Sequence, residues 1–359
     1  MFLRRCVFAF AAACVCVLLA VPAQSEDWTL FRKDLAGTGF TAEQIRIPLA
    51  VSWQYNTFKS GKNTASPVVA GGLVYFCTGN RLIALDVESG ARKWTFPTDE
   101  PLAGVIRAAP AVSDGVVYVG ATDGNLYALN ASDGKLVWSY PTTGSIRGAP
   151  AVSGNIVFFG SDNNNLYAVD VQSGELAWRG PLATRDDVTS QPVIASGYVV
   201  FVSMDGLVHG ASETNGVPRW EFRLATVTSR CLPAVYSDIV YIAAGNNLQA
   251  IRLKTGRQRW LLSFSSELAT GPTIGTDSDS GSASIYVITK NRKLYAITLD
   301  RKTKWNQPAL LPHTASCAPI VAGDTVIACT NRGDVCAYST ATGNLKMSYV
   351  IPPAQPTVQ

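Results

Sequence analysis

Three features of the sequence predict an all-β chain whose sheets close into a ring: a β-propeller of seven four-stranded antiparallel blades. The first is an internal repeat. Ala128-Leu-Asn-Ala-Ser-Asp-Gly134-Lys-Leu-Val-Trp138 is echoed at Ala84–Trp94 and Ala168–Trp178, and fainter copies end at Trp220, Trp260, Trp305 and Met347. Intervals of 40 to 45 residues between those ends are the period of a propeller blade, one supersecondary unit per repeat. The second is the strand pattern: the strands are apolar nearly throughout instead of alternating, as expected of sheets covered on both faces. The third is the lack of helical periodicity anywhere in the chain. An apolar content of 47% with 16% charged residues describes a globular chain with a large core and excludes a disordered one.

Taken in order, residues 1–23 read as a secretory signal. Arg4-Arg5 is the short basic start, Val7 to Ala20 the apolar run, and Val21-Pro22-Ala23 the small-residue cleavage point. Its removal places the mature protein in the periplasm or outside the cell, with no membrane-spanning segment left. It also leaves 28 basic residues against 26 acidic ones, too even a balance for nucleic acid or an anionic bilayer as the partner. The remaining residues, 24–359, form one propeller domain with an irregular leader at 24–48 that has no place in the repeat.

Unit two shows the order within a blade. Ala109-Pro-Ala-Val-Ser opens it as a short strand, and Gly115-Val-Val-Tyr-Val-Gly120 is a second, rich in β-branched and aromatic residues. Thr122-Asp-Gly-Asn125 turns the chain, since glycine takes the positive φ that tight hairpins need. Leu126-Tyr-Ala-Leu is the third strand, and Lys135-Leu-Val-Trp-Ser-Tyr140 the fourth. One unit cannot bury its own apolar faces, so Trp94, Trp138, Trp178, Trp220, Trp260 and Trp305 are expected to dock each blade on its neighbour. The seventh unit ends in Met347, and Leu49 to Tyr55 competes with Asn344–Tyr349 for the closing strand. Seven blades is the reading; an eighth, irregular blade built from both termini is the alternative.

The motif Ala-x-Asp/Asn-x-x-Ser/Asp-Gly-x-x-x-Trp resembles the tryptophan docking motif of pyrroloquinoline-quinone (PQQ)-type propeller repeats. The leader Asp27-Trp-Thr-Leu-Phe-Arg-x-Asp-x-x-x-Thr-Gly is similar to leaders that precede such repeats in secreted bacterial proteins. The resemblance runs from Trp28 to Tyr349 and implies radial blades around a central channel. It implies two different functions. Quinone-dependent dehydrogenases of this superfamily are much longer, coordinate calcium and often carry a vicinal disulfide. This chain has no adjacent Cys pair and no placeable catalytic acid or calcium ligand. The outer-membrane assembly propellers of the BamB family are non-catalytic scaffolds with short loops, and this chain resembles them in size and repeat economy. The reading is thus a scaffold with no cofactor that binds a protein or an anionic ligand; a small PQQ-dependent dehydrogenase is the alternative.

The candidate chemistry is sparse. His209 aligns with Tyr127 and reads as a core residue; His313 lies in a loop with no obvious partner. Neither a nucleophile elbow nor a phosphate loop is present. Asp162-Asn-Asn-Asn165 reads as a hairpin turn, and Asp277–Ser282 as a surface loop. Cys329 and Cys336 flank a turn and, across a two-residue loop, would stand opposite each other; a disulfide between them and two buried thiols are both open. One pattern remains. Three residues before the proline of each first strand stand Thr64, Arg107, Arg147, Thr189, Arg230, Ala269 and Ser316. Arg107, Arg147 and Arg230 would converge on one mouth of the channel as an anion-binding funnel, or pair with loop acids such as Asp123 or Asp162.

Overall fold

In the computed structural model, side chains are described for residues 27–45, 47–55, 65–226, 231–276 and 281–351. Backbone alone is described for Arg4–Phe10 and Cys16–Pro22, which pair antiparallel with each other. Seven antiparallel four-stranded sheets follow one another in chain order, and no helix occurs among the described residues. Blade 2 is typical: Ala111–Ser113, Val116–Gly120, Asn125–Asn130 and Leu136–Pro141 run from the axis outward. The core is a series of seams between blades. Tyr75, Leu82 and Trp94 of blade 1, for example, are buried with Val117, Val119 and Leu129 of blade 2.

The tryptophans of the repeat reach across the seams between blades. Each indole Nε1–H donates to a carbonyl of the following blade: Trp94 to Ala131, Trp138 to Val171, Trp178 to Glu213, Trp220 to Leu253, Trp260 to Leu299 and Trp305 to Thr340. The distances run from 2.5 to 3.1 Å. Five of these rings lean on a Tyr or Phe of their own blade's second strand, at centroid separations of 5.6 to 5.8 Å. The repeat's glycine has a second duty beyond its positive φ. A Cβ on Gly134 would come within 2.6 Å of the Trp94 ring, and one on Gly216 within 2.5 Å of Trp178. The indole therefore lies flat on the next blade's turn. At these turns a residue with no side chain leaves room for it.

The seventh lock comes from elsewhere. Met347 holds the repeat position, but Trp53 supplies the indole: its Nε1–H donates to Val87 O at 3.0 Å, and its ring covers Gly90 of blade 1. The same segment reaches back to blade 7, where Leu49 is buried with Ile327, Val335 and partly buried Met347. Of the two candidates for closure, Leu345–Val350 is the outer strand of blade 7. Residues 49–55 bridge it to blade 1. The ring has seven blades, not eight.

The leader, expected to stand outside the repeat, runs around the inside of the ring. The inner strands would otherwise leave their N–H groups unpaired at an edge. Val69, Val112, Ile194, Val235, Ile274 and Val321 donate instead to the carbonyls of Trp28, Thr29, Leu35, Ala36, Thr38 and Gly39. Phe40–Thr41 adds a short parallel strand to blade 7. Blades 3 and 6 keep only two-residue outer strands, Leu182–Ala183 and Ala309–Leu310. Pro181 and Pro308 stand in those segments, where the lost N–H breaks the ladder.

Cys329 and Cys336 do not face each other. Cys329 pairs with Val335 and Ala328 with Cys336, because the connection is the five-residue turn Thr330–Asp334 and not a two-residue loop. The two side chains point to opposite faces, Cys329 to the seam with Leu49 and Cys336 to the seam with blade 6. A cross-strand disulfide is thereby excluded, and neither cysteine is disulfide-bonded.

Candidate loop-face site

The loops that join each outer strand to the next inner strand share one face with the hairpin turns between second and third strands. Their placement follows from small residues beneath them. Ile146 sits over Gly120, where a Cβ would lie 2.2 Å from its Cγ2, and Val188 covers Gly160 in the same way. Backbone bonds from Ile146 to Ala121 and from Asp162 to Ser145 fasten the loop before blade 3 to the turns of blades 2 and 3. Ile146 is fully buried and Arg147 beside it is exposed. One dipeptide thus anchors the loop and presents a charge.

Arg107 and Arg147 occupy equivalent exposed positions in consecutive loops. Arg147 Nε lies 2.7 Å from Asp162 Oδ2, and half of its side chain remains open to solvent while Asp162 is nearly covered. Burial lifts the Asp162 carboxyl above the usual range; Arg147 works against this and Asp187 adds to it. The pairing weighed at Asp162 is present, so this arginine is held by an acid with part of its fork still exposed. Arg230 and Thr64 lie outside the described residues, as does most of Asp277–Ser282. Thr189 is half-buried, Ala269 buried and Ser316 exposed.

His313, for which the sequence offers no partner, has one: its Nδ1 lies 2.6 Å from Asp334 Oδ2. Burial acts against the Asp334 carboxylate, but hydrogen bonds from Thr330 and His313 outweigh it and hold the group below the ordinary value of 3.8. A depressed carboxylate contributes stability that is complete above the unfolded value and is lost as pH falls through the folded one. Asp334→Asn is expected to lower stability at neutral pH and to flatten its decline below 3.8, read from urea midpoints across an acid pH series. An unchanged acid slope would remove this pair from the stability of blade 7.

One constellation imitates catalytic chemistry. Ser203 Oγ lies 2.8 Å from His209 Nε2, and His209 Nδ1 lies 3.6 Å from Glu221 Oε1. Ser203, however, has no exposed surface, and its hydroxyl is also engaged by Asp205 at the hairpin turn. His209 stacks on Phe201 with centroids 4.8 Å apart. Burial pushes its imidazole below the usual value, more than Asp205 and Glu221 raise it. The serine does what Thr330 does in blade 7, where it bonds Asp334: it closes a turn. His209 is the core residue its alignment with Tyr127 predicts.

No group of three His, Cys, Asp or Glu side chains that could hold a metal ion occurs among the described residues. The leader occupies the inner edges of six blades. No helix of the described residues is long and apolar enough to cross a membrane.

Residues 50–149, 142–271 and 205–359 match the family described as outer membrane protein assembly factor BamB. The BamB of Moranella endobia is 26% identical over 275 residues, covering 71% of this chain and 66% of that protein. A 1-butanol dehydrogenase (cytochrome c) of Thauera butanivorans is 32% identical over 142 residues, 35% of this chain, and the aligned part spans only 20% of that enzyme. The crystal structure of BamB from Moraxella catarrhalis superposes with a TM-score of 0.66 at 21% identity, over 80% of this chain and 85% of that one. The family match extends over most of the sequence and over every blade, so the chain belongs to the BamB family of PQQ-type β-propellers.

Proposed function

We propose that this protein is a non-catalytic scaffold of the bacterial envelope, exported by residues 1–23, whose loop face binds a partner protein through acidic groups. The observation that carries this reading is the half-exposed guanidinium of Arg147, held on a rigid loop by Asp162 and repeated by exposed Arg107 one blade earlier. Arginine forks on fixed backbone suit carboxylates, and their pre-organisation lowers the ordering cost of binding. Family membership supports an assembly role, since BamB relatives are named for outer membrane protein assembly. Arg230, at the equivalent sequence position in the loop before blade 5, is proposed as the third member of the funnel.

The test is affinity capture from the native envelope fraction, followed by titration of the purified partner. Replacing Arg107, Arg147 and Arg230 by alanine is expected to weaken binding by roughly tenfold or more and to flatten its salt dependence. A folded triple variant with unchanged affinity and salt slope would move the site elsewhere on the ring.

The dehydrogenase relatives support a second reading, a small quinone-dependent enzyme. It is tested by incubating the protein with PQQ and calcium and assaying dye-linked alcohol oxidation. Turnover above the protein-free blank would restore that reading in place of the scaffold.

A further inference from the structure

The leader carries a cation that neither blade docking nor the loop face uses. Arg32 lies inside the ring and is only 6% exposed. Its Nη1 donates to Pro233 O at 3.4 Å, at the start of blade 5, and lies against Gly271 at the entrance to blade 6. The opposite edge of the guanidinium, Nε and Nη2, is buried and has no hydrogen-bond partner among the described residues. The acid closest in sequence does not take it: both oxygens of Asp34 are engaged by Thr38. Asp34 only partly offsets the burial that draws Arg32 down to about 10. The group is therefore a full cation at neutral pH, without a bonded counter-charge.

The backbone holds it there at a cost. Arg32 and Lys33 have φ values of 63° and 75°, a left-handed conformation that residues with a Cβ adopt only when their surroundings impose it. The imposing contacts are visible: Lys33 N–H donates to Leu30 O, while Asp34 N–H and Gly39 N–H both donate to Arg32 O. Phe31 O in turn accepts from the buried side chain of Gln191 at 3.3 Å. The leader thus spends strain on delivering one charged side chain into the ring.

Burying donors without acceptors is unfavourable, and burying an unpaired charge more so. The Nε–H and Nη2–H bonds are parallel and spaced to match two oxygens of one carboxylate or phosphate group. We propose that Arg32 anchors a small-oxyanion site inside the ring, with the anion held bidentately on Nε and Nη2. Nε and Nη2 are themselves covered, so the site takes a small oxyanion such as formate, acetate, phosphate or sulfate, and not a folded acidic loop. The site does not depend on Arg107, Arg147 or Arg230.

The test uses the purified full-length chain, labelled with nitrogen-15. Arginine Nε–H signals are followed while formate, phosphate or sulfate replaces chloride at constant ionic strength; a short aspartate-rich peptide is a separate arm. One solvent-protected signal is expected to move saturably with a free oxyanion. The thermal midpoint should rise by about 2–4 °C at saturation. Arg32→Lys, which keeps the charge and loses the fork, should lack both responses. An equal midpoint rise in wild type and Arg32→Lys would mean a general salt effect and overturn the site. If Arg32→Lys does not fold, the wild-type titration still decides: no saturable movement with any free ion means that water satisfies the fork. Movement with the peptide alone would also overturn the proposal.

Discussion

Trp53→Ala is expected to destabilise the protein by about 2–4 kcal/mol, although residue 53 stands outside every repeat. The substitution removes an indole that covers Gly90 and a hydrogen bond to Val87. Leu49 of the same segment packs on blade 7, so Trp53 is the indole that ties this segment to blade 1. Met347→Ala, at the position the repeat assigns to the docking residue, should cost about 1 kcal/mol, because Met347 is half-buried and serves mainly as a support for Leu49. Denaturant unfolding of the two variants separates the alternatives: equal losses would mean that the ring is not closed through Trp53. A double-mutant cycle sharpens the test. A Cβ on Gly90 meets the Trp53 ring at 2.6 Å, so Gly90→Ala should be markedly less damaging once Trp53 is already alanine. A coupling of at least about 1 kcal/mol is expected for residues in such contact.

The second large effect concerns the leader. Gly37→Val should cost about 2–4 kcal/mol and should loosen the inner strands first. Gly37 has φ +66, and a Cβ there would lie 2.9 Å from Val193 Cγ1 and 3.1 Å from Pro233 O. It sits between the carbonyls that cap blades 5 and 6. Amide hydrogen exchange at Ile194, Val235 and Ile274 should quicken in this variant, while Val69, bonded to Trp28 at the far end of the leader, stays slower. Gly71→Val is the control. Gly71 has φ +56 with nothing within 4 Å of its Cβ position, so it reports backbone strain alone. If the two variants lose the same stability, the leader is not packed into the ring as described.

Much of the architecture was legible because a propeller repeats its solution. The glycine before Trp138 and the small Ala128 opposite that indole recur with the blade, so one unit reads for all. The departures are informative. Arg301 replaces the glycine of the sixth unit and still holds φ +73, since the turn's bonds impose what the residue type does not favour. The candidate site was half legible. Arg107 and Arg147 stand out by position, but His313 gave no sign of Asp334, because the two meet only when consecutive loops and turns are brought to one face. Ser203 and His209 err in the other direction: close in space, they resemble chemistry until burial is known.

By itself the sequence determined the repeat, the strand order and the docking indoles of six blades, all of which depend on short-range pattern and on apolar faces that need a neighbour. Only the tertiary structure decided how the circle closes and what lines its interior. Those contacts join residues 28–55 to positions as far away as 347, and no local pattern records a partner at that separation. Ring closure is a global constraint. The last seam must be sealed by whatever segment the chain brings to it, here Trp53, and the inner edges by whatever backbone lies within reach, here the leader that carries Arg32.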